Sequence, residues 1–228
     1  GFAGAPLTAS ISYHGALNNR SAMGGSLYHD QTGEAANSVF ELDYAYHVPL
    51  DQDRINLSFG IGAKAIYYTL ALEAGNLPPG EDPAFSSSAY NRFLADASSG
   101  IYLYGREFYL GYSVLNMLQS NFNKEAGDGF STNYLHRNYM GMLGYRYAYN
   151  RDIHFETSML YRKTENTSSQ YDFSTRVFFR DAFWTGLSAR TNGSMSAVIG
   201  FRTGNMHITY AYDHFFKAIN AYQSGTHE

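Results

Sequence analysis

From Leu7 to His14 the chain reads Leu-Thr-Ala-Ser-Ile-Ser-Tyr-His, apolar and polar in turn. That period of two is what a strand with one wet and one apolar face requires. The same reading predicts strands near 22–29, 38–48, 54–72, 96–104, 107–114, 135–149, 153–164, 171–180, 183–190, 194–203 and 206–213. Twelve strands therefore fill most of the chain. Ala16–Ser21, Pro49–Asp53, Gly105-Arg106, Asn150–Asp152, Arg180–Ala182 and Gly204-Asn205 are short and rich in turn-forming residues, as tight hairpins are. Between them lie Gln31–Asn37, Glu73–Ala95, Leu115–Tyr134, Glu165–Gln170 and His214–Ser224, all longer, with Thr191–Gly193 the short exception. Alternating connections of an antiparallel meander lie at opposite ends, so short turns are expected at one end and long loops at the other, the asymmetry of outer-membrane barrels.

Segment 38–48 shows how the faces divide. Phe40, Leu42, Tyr44, Tyr46 and Val48 share one side, and Glu41, Asp43 and His47 the other. An unpaired carboxylate in hydrocarbon is costly, so the acids are expected to face the interior of a membrane barrel and the tyrosines its lipid. A soluble barrel or sandwich also alternates, but twelve meandering strands exceed what a small soluble barrel holds.

Composition sharpens this picture. Aromatic residues make up 17% of the 228, with 21 Tyr and 16 Phe, which suits the aromatic girdles of a membrane barrel. Mean hydropathy is −0.35, and no apolar run approaches the roughly 18–20 residues of a membrane helix. Barrel strands, half polar by construction, look only mildly hydrophobic in such averages. Net charge is −4, and the 16 basic residues are scattered singly, which argues against nucleic-acid binding. Without cysteine the chain has neither disulfides nor thiolate metal ligands.

Candidate chemistry is sparse. Ser113, Ser188 and His207 sit on predicted strands, but neither Gly111-Tyr112-Ser113-Val114-Leu115 nor Gly186-Leu187-Ser188-Ala189-Arg190 has the second glycine of a nucleophile elbow. No enzyme activity is expected, and no catalytic residue is assigned. Asp213-His214 and His227-Glu228 are neighbours whose side chains point to opposite faces of a strand, so no metal or other cofactor is assigned. Asp51-Gln52-Asp53 lacks the glycine and distal glutamate of a calcium loop and reads as a polar turn. Two long loops carry the candidate contacts to a partner protein: Pro78, Pro79, Asp82, Pro83 and Phe85 in one, and Phe122, Asp128 and Phe130 in the other. The rival reading is that these loops only cover the barrel mouth.

Several segments resemble one family in their joint order. They are Gly4-Ala5-Pro6-Leu7-Thr8, Tyr44-Ala45-Tyr46-His47-Val48-Pro49-Leu50, Leu57-Ser58-Phe59-Gly60-Ile61, Asp82-Pro83-Ala84-Phe85 and Gly100-Ile101-Tyr102-Leu103-Tyr104. Phe108–Asn116, Trp184–Arg190, Tyr210-Ala211-Tyr212-Asp213 and Ser224–Glu228 continue the series. On these residues the chain is similar to the PorP/SprF family of the Bacteroidota type IX secretion system. Gly1-Phe2-Ala3 departs from the aromatic, tryptophan-containing approach usual there. The resemblance implies an all-β, antiparallel transmembrane β-barrel integral to the outer membrane. It implies one barrel domain over residues 1–228, lacking the N-terminal strand and most of the C-terminal strand, with about fourteen strands when complete and about twelve here. It implies as partners the type IX translocon, outer-membrane lipid, and a secreted cargo protein with a type B C-terminal domain, such as a gliding adhesin. The expected function is a scaffold that helps secrete such a cargo or retain it at the cell surface. The alternative is a diffusion channel or hydrophobic-solute transporter.

Overall fold

Asparagine side chains close several of the hairpins. Asn18 Oδ1 accepts hydrogen bonds from the Arg20 and Ser21 amides at 2.8 and 2.9 Å. Asn150 accepts from the Asp152 and Ile153 amides at 2.9 and 2.7 Å, and Asn192 from the Ser194 amide at 3.1 Å. Such side-chain acceptors mimic a backbone turn, so the chain reverses within a few residues. These turns belong to a computed structural model that describes residues 7–51, 54–71, 89–121, 134–204, 206–216 and 226–227.

The strands joined in this way are β1 (Leu7–Ala16), β2 (Ser21–Thr32), β3 (Ala35–Pro49), β4 (Ile55–Ala71), β5 (Ala89–Gly105) and β6 (Phe108–Leu115). They continue as β7 (Asn138–Ala148), β8 (Ile153–Thr164), β9 (Gln170–Phe179), β10 (Phe183–Arg190), β11 (Ser194–Thr203), β12 (Met206–Phe215) and the two-residue β13 (Thr226–His227). All lie in one sheet whose spatial order is the sequence order. Each described register is antiparallel. Among the described residues there is no helix, and no pairing joins β1 to the last strands.

The twelve predicted strands are present, with three revisions at their ends. Thr32 pairs with Ala35, so the expected long loop Gln31–Asn37 is a two-residue turn at Gly33-Glu34. Gly33 supplies the positive φ (59°) that such a turn needs, without steric cost. The strand expected from residue 96 begins at Ala89, because Arg92, Leu94 and Asp96 continue one face and Phe93, Ala95 and Ala97 the other. Conversely, 135–137 stay outside β7: the His136 carbonyl accepts from Asn116, and Arg137 reaches the Met117 carbonyl.

Backbone contacts divide the chain into two units, Gly1–His47 with Phe59–Ser99 and Leu115–Arg137, and Val48–Ser58 with Gly100–Val114 and Asn138–Glu228. In the first, Ile11 stands opposite Leu27 and Leu27 opposite Phe40, and Met23 opposite Tyr44. These side chains are exposed, as are Leu7, Tyr13, Leu42 and Tyr46 on the same face. In the second, Phe173 pairs with Ala189 and Ala189 with Met195, while Phe201 pairs with Phe183 and Ile208. Tyr145, Leu187 and Ile199 extend that exposed apolar face.

Burial is inverted relative to a water-soluble fold. Among the described residues only Ile66 and Leu94 are buried apolar side chains, and no large side chain is fully buried. Apolar surface this extensive is not left to water by a soluble monomer, whereas a bilayer covers it.

Candidate functional site

In the first unit the polar face carries carboxylates. Glu41 pairs with Ser26 and Asp43 with Gly24, opposite in direction to Phe40 and Tyr44. Glu41 accepts from the Ser98 hydroxyl at 3.4 Å, and both acids approach Gly62, where an added Cβ would meet Asp43 and Ser98. Asp30 accepts from Thr8 at 2.5 Å on the same face. The acids expected to turn away from the tyrosines therefore do so.

Two residues before Ser98, Asp96 is only 3% exposed. Its Oδ1 accepts from the Ala97 amide at 2.7 Å and from the Leu118 amide at 3.1 Å, and its Oδ2 from the Ser120 amide at 3.4 Å. The Ser120 hydroxyl donates to the Ala95 carbonyl, and the Met117 amide to the Ala97 carbonyl at 2.9 Å. Asn116 and Gln119 take positive φ values of 56° and 51°, which turn the chain back after β6. A buried carboxylate needs such donors, because an unpaired charge is expensive to desolvate. The outcome is that the segment Asn116–Ser120 is latched to β5 just beyond the end of β6. Its first residues are also held by Asn116, which donates to the His136 carbonyl at 2.9 Å, and by Arg137, which donates to the Met117 carbonyl at 3.2 Å, and its last by the Leu135 amide, which donates to the Ser120 carbonyl at 3.1 Å.

In the second unit the register sorts the polar face into rows running across the strands. The first row holds Asp172 opposite Arg190, with Arg162 on the same carboxylate and Gln170 at 3.0 Å. Next comes Ser158 opposite Ser174, then Ser188, Ser196 and Asp213, with a 2.7 Å hydrogen bond between Ser158 and Ser174. Arg146, Glu156 and Arg176 form the third, in which Arg146 meets Glu156 at 2.8 Å. The fourth is aromatic. His154 stacks on Phe178 at 4.6 Å, Phe178 on Trp184 at 6.2 Å, and Trp184 lies against Gly200 with His207 at 6.2 Å. Only a residue without Cβ leaves room for the indole there, since an added Cβ at Gly200 would strike the ring.

The structure places the sequence candidates plainly. Pro78, Pro79, Asp82, Pro83, Phe85, Phe122, Asp128 and Phe130 all lie outside the described residues. Ser188 belongs to the serine row, and His207 stands opposite Arg202, three rows away, so the register does not bring them together. Among the described residues no three metal-ligating side chains converge. A cavity of about 390 Å³ lies on the apolar side of the second unit, walled by Leu103, Leu110, Tyr112, Gly141, Leu143 and Tyr161. Sequence reasoning missed Asp96, Arg176, Trp184 and Arg202. The signal for Asp96 was an acid between alanines continuing the period of two.

An antiparallel meander with one apolar and one polar face, and with almost nothing buried between layers, defines a membrane protein that crosses with strands. The chain belongs to the PorP/SprF family: the family model for the type IX secretion system membrane protein PorP/SprF matches residues 1–228. It is accordingly a membrane component of that secretion system. No match is found among curated proteins.

Proposed function

We propose that this protein is an outer-membrane scaffold of the type IX secretion system that helps secrete a cargo protein, or retains it at the cell surface. On this reading the sheet closes into a barrel of about fourteen strands, with the apolar face in lipid and the polar face on the lumen. The cargo carries a type B C-terminal domain, and the protein performs no chemistry of its own. The observation that supports the reading is the Asp96 latch, which fixes Asn116–Ser120 against β5 at the start of a long connection, where a rigid support for a partner-binding loop is useful. A wall that supports an anchored segment suits a scaffold better than an open pore. Family membership supports the same system.

One observation favours the diffusion-channel alternative: the row Ser158, Ser174, Ser188 and Ser196 makes a smooth hydroxyl-lined strip in the second unit. The two readings part in one experiment. Gentle-detergent affinity purification of the full-length protein, with mass spectrometry of what it retains, should recover a large secreted protein or translocon components. A protein recovered alone that conducts ions steadily in planar bilayers would overturn the scaffold in favour of the channel.

A further inference from the structure

Along β7–β12 the polar face is not electrically neutral. It carries Arg146, Arg162, Arg176, Arg190 and Arg202 against Glu156, Asp172 and Asp213, an excess of two positive charges on a chain whose net charge is −4. The pairings locate the excess. Asp172 engages Arg162 and Arg190, and Glu156 engages Arg146. Asp181, the nearest acid in the β9–β10 turn, meets His154 at 3.5 Å. The side chains of Arg176 and Arg202 make no ion pair or hydrogen bond with any described residue.

These two free guanidiniums lie on a diagonal with Trp184 at its centre. Arg176 of β9 stands opposite Gly186, Trp184 of β10 is one same-face position further along, and Gly200, opposite Trp184, is one same-face position before Arg202 of β11. With strands about 4.8 Å apart and about 3.3 Å per residue along each, Arg176 and Arg202 are about 16 Å apart at Cα. The indole between them lies flat against Gly200 and is half-buried, leaving an aromatic surface.

We infer that this diagonal binds an extended, acidic polypeptide segment: two carboxylates pair with Arg176 and Arg202, and the chain between them packs on Trp184. An extended chain covers about 16 Å in about five residues, and only acids an even number of residues apart share one side of it, so a spacing of four or six suits the diagonal. Guanidiniums grip carboxylates with paired donors, and a flat ring offers contact area at little entropic cost. Lipid is not the occupant argued for, since the surface lies on the face opposite Phe173, Leu187 and Phe201. The inference rests on the proposed function in one respect, that this face lines an aqueous lumen.

Trp184 is the single tryptophan of the 228 residues, and with any tryptophan outside them replaced by phenylalanine its fluorescence reports this surface alone. The purified full-length protein in nanodiscs is titrated with tryptophan-free peptides bearing glutamates four or six residues apart in a Gly/Ser chain, and with their lysine counterparts. The expected result is a saturable change in Trp184 emission with the glutamate peptide only, weakened by added salt. The double variant Arg176→Gln/Arg202→Gln should bind at least tenfold more weakly, and Arg176→Lys/Arg202→Lys should recover part of the loss, which separates charge recognition from misfolding. No saturable change, or an equal response to the lysine peptide, overturns the inference while leaving the scaffold intact. Quenching of Trp184 by brominated acyl chains overturns the lumen assignment itself, and the inference with it.

Discussion

Replacing Asp96 with asparagine tests whether one carboxylate holds Asn116–Ser120 in place. Asparagine keeps one carbonyl oxygen for the Ala97 and Leu118 amides but turns an NH2 group toward the Ser120 amide, which then has no acceptor. Hydrogen bonds to a charged group contribute roughly 1.5–3 kcal/mol and neutral ones roughly 0.5–1.5, so two weakened bonds and the loss of the long third bond cost at least about 2 kcal/mol. At 1.4 kcal/mol per factor of ten, local opening should become about 30-fold more frequent. Hydrogen exchange at the Leu118 and Ser120 amides reads this directly and should accelerate by about that factor, while amides in β8–β11 hold their rates. Asp96→Ala removes every acceptor and should exceed the asparagine effect. If the segment narrows a lumen, both variants should also raise conductance in planar bilayers. Exchange at Leu118 and Ser120 within about threefold of the parent protein would refute the latch, because opening would then not depend on the carboxylate.

The absence of cysteine makes single-cysteine labelling clean: Tyr44→Cys should react with a lipid-phase thiol reagent and Asp43→Cys with a water-soluble one, and the reverse would invert the faces. Asp172→Asn should lower thermal stability by about 2 kcal/mol, because it weakens the hold on two arginines and Gln170. Glu156→Gln, which loosens one pair whose arginine is half exposed, should cost under about 1 kcal/mol, and equal melting shifts for the two would contradict the register-based account. Gly200→Val should displace the indole, red-shift Trp184 emission and cost about 1–3 kcal/mol by overpacking; an unchanged spectrum would mean the ring does not rest on Gly200.

The strands were legible because a two-residue period is a local property. Phe40, Leu42, Tyr44 and Tyr46 against Glu41 and Asp43 need no partner strand to declare their faces. Strand ends were less legible: Arg92 and Asp96 look like loop residues until the face they share with Ser98 is known. The candidate surface was not legible at all. Arg176, Trp184 and Arg202 are separated by eight and eighteen positions, and nothing in that spacing forms a motif. They fall on one diagonal only once the registers Arg176↔Gly186 and Trp184↔Gly200 are set. Register depends on turn lengths and cross-strand fit, which single-residue patterns do not encode.

Strand order equal to sequence order has a consequence for how the molecule comes to exist. Every described pairing joins segments adjacent along the chain, so the sheet can grow one hairpin at a time, and only the outer edge of the first strand is left for a distant partner. Most steps close a short loop, which keeps the entropic cost of pairing small. The same arrangement makes a hairpin the natural quantum of change in the lineage: a duplicated or deleted pair of strands alters the girth of the sheet while leaving every other neighbour relation as it was.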